Sequence, residues 1–587
     1  MFPTIPRDHT NKDFRVLLRV EAPPMADLKG HVPIDVVEVL DVSGSMGDPA
    51  MASSDFKKNK PPSRLDVLKD AMKFIIRKLE DGDRLSIVAF NDRPVKEYST
   101  GLLDISGNGR RIAEKKVDWL EGRGGTALMP ALEEAIRVLD CRPGDSRNRV
   151  GFILLLTDGD DTSGFRWSRD VINGAVGKYP VHTFGLGAAH SSEALLYIAQ
   201  ESRGTYSFVD DENMDKIAGA LAVCLGGLKT VAAVDTRVSV RVAELSGARI
   251  ERIDSGGYES RVACGGASGE VVVGVLYAGE VKSFIIHLHL PAASVSSLEC
   301  GYCDAATVCD HHGHHCHRRH EQRLLDVGYS YRRAPDAAAI SIVGRGVFVQ
   351  RPEEVVDAEG AEVAVLLLST SSMVLQHIVR FELLEIVAGF VESEIIILEK
   401  KTTTTTTEQL QRKWEEVRRA WQVLGVVELD GMEKEVDAMV SSLSRGLAYV
   451  SSWVSSHQMQ RATAMGSPEK VAAEFMTPAM VSMVEEARRL LPPTAAKKNP
   501  GFGCDDDVQD MIGQRLELWS KVRREVPLMY EASASAEEEE QQQVTAVFRE
   551  ASLEAIDRAM HRDVYLAVVH ASNRKRCDGH RDPATGK

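Results

Sequence analysis

Oxygen-bearing side chains follow a strongly apolar segment near the start of the chain. Asp41, Ser43 and Ser45 stand in the sequence DVSGS, directly after the run 34–40, which is typical of a buried strand. A carboxylate and two hydroxyls spaced two residues apart can direct their oxygens toward one point beyond the strand. Because hard divalent cations prefer oxygen ligands, this spacing predicts part of a metal site.

Two further oxygen ligands occur later in the chain. Thr126 ends a Gly-Gly-Thr loop before a helix-like segment, and Asp158 follows the most apolar strand candidate, 152–156. In open α/β sheets, ligands bind beyond the carboxyl ends of the strands, so these loops are expected to converge there. Read alone, D-x-S-x-S is equally compatible with a capped turn. With its distant partners it predicts a site for Mg²⁺, or for Mn²⁺ or Ca²⁺, held by Asp41, Ser43, Ser45, Thr126 and Asp158.

The apolar pattern predicts a multidomain chain. Strand-like and helix-like segments alternate through 31–225, which indicates a doubly wound α/β domain. The other expected units are an N-terminal segment with one strand (1–30), a β-rich, sandwich-like domain (226–365), a helical region (366–491), a linker (492–507) and a helical tail with an acidic low-complexity run (508–587). Within the helical region, 436–460 is expected to form one continuous helix.

Composition excludes some classes of function. The 587 residues are 43% hydrophobic and 27% charged, as in ordinary globular proteins, and the net charge of −15 argues against nucleic acid as a partner. Since no apolar run is long enough for a signal peptide or a membrane span, we expect an intracellular, cytoplasmic protein. An odd number of cysteines, nine, is typical of a reducing compartment.

Four of the cysteines cluster in a histidine-rich insertion at 300–320. Cys300, Cys303, Cys309 and Cys316 could close a tetrahedral Zn²⁺ site. The alternative is a His-rich hairpin that binds transition metals loosely. The spacing differs from that of a RING finger, because no second set of cysteine pairs follows within the next 180 residues.

Several phrases of the sequence resemble the plant von Willebrand factor type A (VWFA) proteins related to the Wavy-growth RING-type ubiquitin ligases. They include VPIDVVEVLDVSGSMG, GGTAL and ILLLTDGDDTSG in the first domain, and GLAYVSSWVSSHQMQRATAMGSP and WSKVRREVPLMY later. The resemblance implies that the five oxygen ligands form a metal-ion-dependent adhesion site (MIDAS), some of them acting through water. Those ligases carry a RING finger before the VWFA domain, and here that domain starts close to residue 1. We therefore expect an adaptor without ligase activity of its own, with RING-type relatives among its partners.

The predicted metal chemistry favours binding over catalysis. Two carboxylates and three hydroxyls leave a divalent cation with an open position and residual positive charge, which an Asp or Glu of a partner protein can fill. A metal-dependent hydrolase is the alternative, since a bound cation can activate water. No His or Glu near the ligand motifs suggests a general base, although His182 and His190 lie in the same domain. A nucleotide-driven chelatase subunit has less support, because the chain contains no G-x-x-x-x-G-K-[ST] motif.

Overall fold

The structure is a computed structural model in which the following parts of the chain are described: residues 5–28, 30, 32–50, 62–143, 148–165, 176–293, 321–344, 346–352, 372–399, 407–422 and 429–490. The predicted zinc ligands Cys300, Cys303, Cys309 and Cys316 lie outside these ranges, as do the predicted linker and the helical tail.

The described residues form sixteen strands and ten α-helices. The strands are β1 (Asn11–Glu21), β2 (Ile34–Asp41), β3 (Arg84–Phe90), β4 (Leu103–Asp104), β5 (Val150–Thr157), β6 (Val181–Leu186), β7 (Tyr206–Val209), β8 (Val231–Val242), β9 (Arg249–Asp254), β10 (Glu259–Val262), β11 (Ser268–Tyr277), β12 (Val281–Leu290), β13 (Glu321–Arg332), β14 (Ile340–Ile342), β15 (Gly346–Gln350) and β16 (Met465–Gly466). The helices are α1 (Arg64–Lys78), α2 (Asn108–Asp118), α3 (Leu128–Asp140), α4 (Ser192–Ser202), α5 (Ile217–Leu228), α6 (Ser372–Glu399), α7 (Thr407–Gln422), α8 (Asp430–Ser442), α9 (Ala448–Met459) and α10 (Pro478–Leu490).

A mainly parallel sheet forms the centre of the first domain. Its order is β16-β7-β6-β5-β2-β3-β4, and only β4 runs antiparallel to its neighbour. Every residue of β2 and of β5 is buried, because one face of the sheet packs on α1 and α5 and the other on α3 and α4. This arrangement confirms the predicted doubly wound α/β fold, and it places the ends of β2 and β5 side by side.

The last strand of that sheet comes from the helical region. Met465 pairs with Phe208 in parallel, and the amide of Phe208 donates to the carbonyl of Ala464 at 2.8 Å. The helix before it, α9, lies against β7, where Ser455 Oγ accepts from the Tyr206 amide at 2.8 Å. The helical region therefore extends the α/β sheet by one strand.

Two antiparallel sheets follow the α/β domain, as the alternating pattern predicts. One has the order β1-β12-β9 and the other β10-β11-β8-β13-β14, with β15 also paired to β13. The N-terminal strand β1 thus joins this second domain through β12. The two sheets bury a common apolar core that includes Val238, Ile250 and Phe284.

Besides contributing β16, the helical region differs from the sequence prediction in the number of its helices. Instead of one helix over 436–460, the chain forms α8 and α9, with Gly446 between them at φ 108°. A residue with a side chain rarely adopts this backbone angle, so glycine permits the break. Among the described residues, no helix combines the length and apolar character that crossing a membrane would require.

Candidate metal centre

The predicted site is built around Asp41, the last residue of β2. Its side chain is fully buried, and both carboxylate oxygens are held from within the domain. Oδ1 accepts a hydrogen bond from the Ser43 amide at 2.7 Å, and Oδ2 accepts one from Thr157 Oγ1 at 2.6 Å. Because Thr157 ends the neighbouring strand β5, the carboxylate is fixed where the two central strands end.

The two serines connect Asp41 to Asp158. Ser43 Oγ and Ser45 Oγ are 3.0 Å apart, and Ser45 Oγ donates to Asp158 Oδ1 at 2.7 Å. Ser45 lies in a short 3₁₀ helix, Gly44–Gly47, that turns the chain back over the end of the sheet. Four of the five predicted ligands therefore form a continuous chain of hydrogen bonds, although Asp41 and Asp158 are far apart in sequence.

Thr126 is brought to the same place by its glycine-rich loop. Gly124 has φ 84°, and a Cβ atom at Gly125 would stand 2.6 Å from Thr162 Oγ1, so both positions require glycine. The Thr126 amide donates to Thr162 Oγ1 at 2.8 Å. A Cβ atom added at Gly159 would stand 3.3 Å from Thr126 Oγ1 and 3.7 Å from Ser45 Oγ, which places these two hydroxyls around the same point.

Burial makes the central carboxyl group a weaker acid. Removal from water raises the pKa of Asp41 to about 6, the negative charge of Asp158 acts in the same direction, and the hydrogen bonds from Thr157 and Ser43 oppose them. A bound divalent cation would counteract both the removal from water and the repulsion from Asp158, because its positive charge stabilises the ionised carboxylate.

Arg64 supplies a positive charge beside these ligands. Its Nη1 lies 2.8 Å from Asp158 Oδ2 and its Nη2 lies 2.8 Å from Asp211 Oδ1. The Arg64 side chain is only 16% exposed, whereas the Asp211 side chain is half exposed. The immediate surroundings of the site thus contain the two buried carboxylates of Asp41 and Asp158 and one partly buried cation.

The donor chemistry fits a hard divalent cation. All five predicted side chains offer oxygen, two of them as fully buried carboxylates, and Ser43 and Thr126 are also buried. Mg²⁺ bound by few carboxylates keeps open positions, so this set leaves room for water or for an external ligand. The role of the five residues as ligands stays a prediction, since what the structure gives is their proximity.

The two histidines considered for hydrolysis have other partners. His182 Nδ1 is 2.8 Å from Thr205 Oγ1, and His190 lies 2.7 Å from the Gly187 carbonyl and 2.6 Å from the Tyr206 hydroxyl. Burial lowers the pKa of His182 to about 3 and that of His190 to about 4, so both are neutral. None of these partners is one of the five predicted ligands.

Sequence reasoning missed Thr157, Arg64 and Thr162. Thr157 directly precedes Asp158, and its hydroxyl could have been expected to face the neighbouring strand end. Arg64 directly follows Ser63, which caps α1 through a capping box with Asp66. The cap fixes where the helix begins, but the contacts of Arg64 with Asp158 and Asp211 span 94 and 147 residues and leave no local signal.

A second group of potential ligands lies in the helical region. Glu435, His457 and Glu474 have oxygen and nitrogen atoms within 4.8 Å of one another. The guanidinium of Arg380 already lies among them, with Nη1 at 2.7 Å from Glu435 Oε2 and at 3.0 Å from His457 Nε2. Because this cation balances the carboxylates, the cluster is accounted for as an ion-pair network.

The fold and the converging oxygens define a von Willebrand factor type A domain. Residues 34–208 match the family described by that name, and the chain is a VWFA domain protein. It is 30% identical over 303 residues to the E3 ubiquitin-protein ligase WAV3 of Arabidopsis thaliana, a match that covers 48% of this chain and 36% of that protein. The E3 ubiquitin-protein ligase WAVH1 of the same plant is 29% identical over 196 residues, covering 31% and 25% respectively.

The chain thus spans only about a third of the length of WAV3 and a quarter of that of WAVH1. The resemblance to the Wavy-growth group is confirmed as a distant, partial similarity. Among solved structures, a von Willebrand factor type A protein from Catenulispora acidiphila aligns with 66% of this chain and 83% of its own, with 17% identity and a TM-score of 0.45.

Proposed function

We propose that this chain is a non-catalytic protein-binding module whose VWFA domain holds a partner's carboxylate through a divalent cation. VWFA domains often bind proteins through a MIDAS. The observation that carries the proposal is the hydrogen-bonded chain of Asp41, Ser43, Ser45 and Asp158 at the ends of β2 and β5. The hydroxyl ligands bring no charge, so the bound cation keeps an affinity for an anionic side chain.

The kind of partner follows from the same chemistry. An Asp or Glu side chain is a hard oxygen ligand and can complete the coordination of Mg²⁺, Mn²⁺ or Ca²⁺. We further propose that the module is an adaptor associated with RING-type ubiquitin ligases. The support for this is the 30% identity with WAV3, which covers about half of the chain.

The test is a capture experiment in which the metal and the hydroxyl ligands are removed separately. The full chain is used to capture partners from a cell extract, with Mg²⁺ or with a chelator, beside the variants Ser43→Ala and Thr126→Ala. These variants remove neutral ligands and barely alter the long-range field. Ser86→Ala is the matched control, because Ser86 is buried in β3 of the same sheet and donates to the Thr100 carbonyl instead.

We expect the same partner to be lost with chelator and in both ligand variants, and to be retained by Ser86→Ala. Direct titration of the purified chain with Mn²⁺ should show one site in the wild type. A partner retained equally with Mg²⁺ and with chelator would contradict the proposal, because binding would then occur on a surface independent of the metal.

A further inference from the structure

Arg64 occupies an electrostatically unusual position. It is the first residue of α1, where the helix dipole is positive and a cation is disfavoured. Its side chain is nevertheless largely buried, 16% exposed, and the guanidinium lies 2.8 Å from both Asp158 Oδ2 and Asp211 Oδ1. The carboxylates of Asp158 and Asp211 therefore explain why a cation is stable at the start of the helix.

Asp158 has a donor on each of its oxygens. Oδ1 accepts from Ser45 Oγ at 2.7 Å, and Oδ2 accepts from Arg64 Nη1 at 2.8 Å. A metal ion that binds this carboxylate has to share it with the guanidinium of Arg64, which already contacts it. Because the side chain of Asp158 is fully buried, water screens this competition little.

We propose that Arg64 is a built-in counter-cation of the metal centre, which lowers its affinity for a divalent cation and leaves the loaded site more positive toward a partner's carboxylate. This inference rests on the proposed function. The predicted ligands Asp41 and Asp158 together with Arg64 sum to one negative charge, so a bound divalent cation leaves this set with one positive charge. Without Arg64 the loaded set would be neutral; Asp211 adds one negative charge in both cases, so the loss of Arg64 always makes the loaded site one charge less positive and weakens its attraction for an anion.

Asp211 keeps the guanidinium in place. Its Oδ1 contacts Arg64, and its Oδ2 accepts a hydrogen bond from the Ala188 amide at 3.0 Å. Arg64 thereby joins the loop after β5, which carries Asp158, to the segments that follow β6 and β7. The counter-cation is part of the scaffold of the site.

Arg123 offers a matched control. It lies in the loop just before Thr126, its amide donates to the Val42 carbonyl, and its side chain is 60% exposed. The guanidinium pairs with Glu97, at 3.5 Å, and not with Asp158. Replacing Arg123 removes the same charge near the site without removing a donor from a predicted ligand.

The experiment measures Mn²⁺ affinity by calorimetry for the full chain and for Arg64→Gln, Arg64→Lys, Arg123→Gln and Asp211→Asn, with circular dichroism to verify folding. We expect Arg64→Gln to bind Mn²⁺ about ten-fold more tightly or better, because a contacting charge is removed. Arg123→Gln should stay within about two-fold of the wild type, because solvent screens its charge. Arg64→Lys should resemble the wild type, and Asp211→Asn should bind more weakly, since the guanidinium then has Asp158 as its main partner.

The outcomes separate this inference from the proposed function. If the wild type binds Mn²⁺ and Arg64→Gln binds equally or less tightly, the counter-cation role is wrong and the metal site stands. If only Arg64→Gln binds, the role of Arg64 is supported and the proposed function of the native chain is contradicted. If neither binds, both are wrong. Should Arg64→Gln fail to fold, tighter binding by Asp211→Asn would also overturn the inference.

Discussion

Arg461 and Glu280 form a buried ion pair that joins the helical region to the β-rich domain. Arg461 Nε lies 2.8 Å from Glu280 Oε1, and the two side chains are 4% and 1% exposed. Lys282, also buried, lies 3.1 Å from the same oxygen and donates to the carbonyls of Met459 and Gln460. Although burial favours the neutral acid, Arg461 and Lys282 hold the pKa of Glu280 below its ordinary value. This cluster fixes the segment that continues into β16.

The first prediction concerns this pair. Arg461→Met should lower the free energy of unfolding by about 3–5 kcal/mol, because it leaves a buried carboxylate with an incomplete set of partners. Chemical denaturation of the full chain measures the change. The control is Arg261→Met, whose guanidinium is 75% exposed and pairs with Glu259 on the surface. That variant should change the stability by about 1 kcal/mol or less. Similar losses of stability in the two variants would show that the buried Arg461–Glu280 pair contributes no more than an exposed ion pair.

Local patterns predicted the first domain but not what completes it. Residues 152–156 are apolar throughout and residues 34–40 are apolar except for Asp35 and Glu38, a pattern typical of fully buried parallel strands. Met465 and Gly466 form a strand of only two residues, and they pair with residues more than 250 positions away. No periodicity of the sequence marks such a contact, because the pairing depends on where α9 packs.

The second prediction concerns the opposite end of β2. Asp35 is fully buried and contacts three arginines, with Arg84 Nε at 2.8 Å, Arg142 Nη1 at 3.0 Å and Arg149 Nε at 2.6 Å. Asp35→Asn should lower the free energy of unfolding by about 3–5 kcal/mol. Asp35 is six residues before Asp41 along an extended strand, so Mn²⁺ affinity should not change. Asp118→Asn, at a side chain 54% exposed, is the matched control, with an expected loss of about 1 kcal/mol or less.

The cluster of Asp35 and its three arginines makes the free energy of unfolding depend on pH. Burial tends to raise the pKa of Asp35, but the hydrogen bonds from Arg84, Arg149 and Arg142 outweigh it and the pKa is lowered. A carboxyl whose pKa is lower in the folded state stabilises the fold above its unfolded-state pKa and loses this contribution as the pH falls through the folded-state value. The difference in stability between wild type and Asp35→Asn should therefore shrink in acid. A constant difference would contradict the ionic explanation.

The third prediction concerns Glu38, at the centre of β2. This side chain is fully buried, and among the described residues neither of its carboxylate oxygens has a hydrogen-bond partner. Burial raises the pKa of Glu38 from 4.5 to about 8. The folded state then holds a proton that the unfolded state has lost, so stability should fall by about 1.4 kcal/mol per pH unit as the pH rises through this range.

Glu38→Gln removes this proton linkage while keeping the size of the side chain. The variant should lack the contribution of Glu38 to the fall in stability between pH 5 and pH 8, and it should be the more stable protein at pH 8. Urea denaturation at several pH values measures both curves. If the two proteins keep the same difference at every pH, Glu38 does not titrate in the folded state.

At the candidate metal centre, the spacing of residues predicted which oxygens come together but not the residues that support them. Asp41 and Asp158 each follow an apolar strand, so the topology of a parallel sheet alone brings them together. Thr157 contributes through the direction in which its hydroxyl points. Arg64 contributes through its contacts with distant segments of the chain. Both depend on side-chain conformations that only the folded chain defines.

The last prediction tests the support that Thr157 gives to Asp41. Thr157 Oγ1 donates to Asp41 Oδ2 at 2.6 Å, and both side chains are fully buried. Thr157→Val keeps the shape of the residue and removes the hydroxyl, which also accepts from the Gly159 amide at 3.3 Å. Asp41 then keeps the hydrogen bond from the Ser43 amide but loses the one at Oδ2, so it can reorient. Residues that orient a metal ligand typically change metal affinity by about 10–100-fold when they are replaced.

Thr157→Val should therefore weaken Mn²⁺ binding by about ten-fold or more while the fold persists. Thr183→Val is the matched control, because Thr183 is a buried threonine in β6 whose hydroxyl donates to the Leu195 carbonyl at 2.9 Å. It should lose about 1 kcal/mol of stability, as is typical of one hydrogen bond, and keep the wild-type affinity. Calorimetric titration measures the Mn²⁺ affinity of the two variants, and thermal unfolding measures their stability. Equal Mn²⁺ affinities in both would mean that Asp41 keeps its orientation without Thr157, and that the serine hydroxyls and the backbone of the 43–47 turn suffice to position the carboxylate.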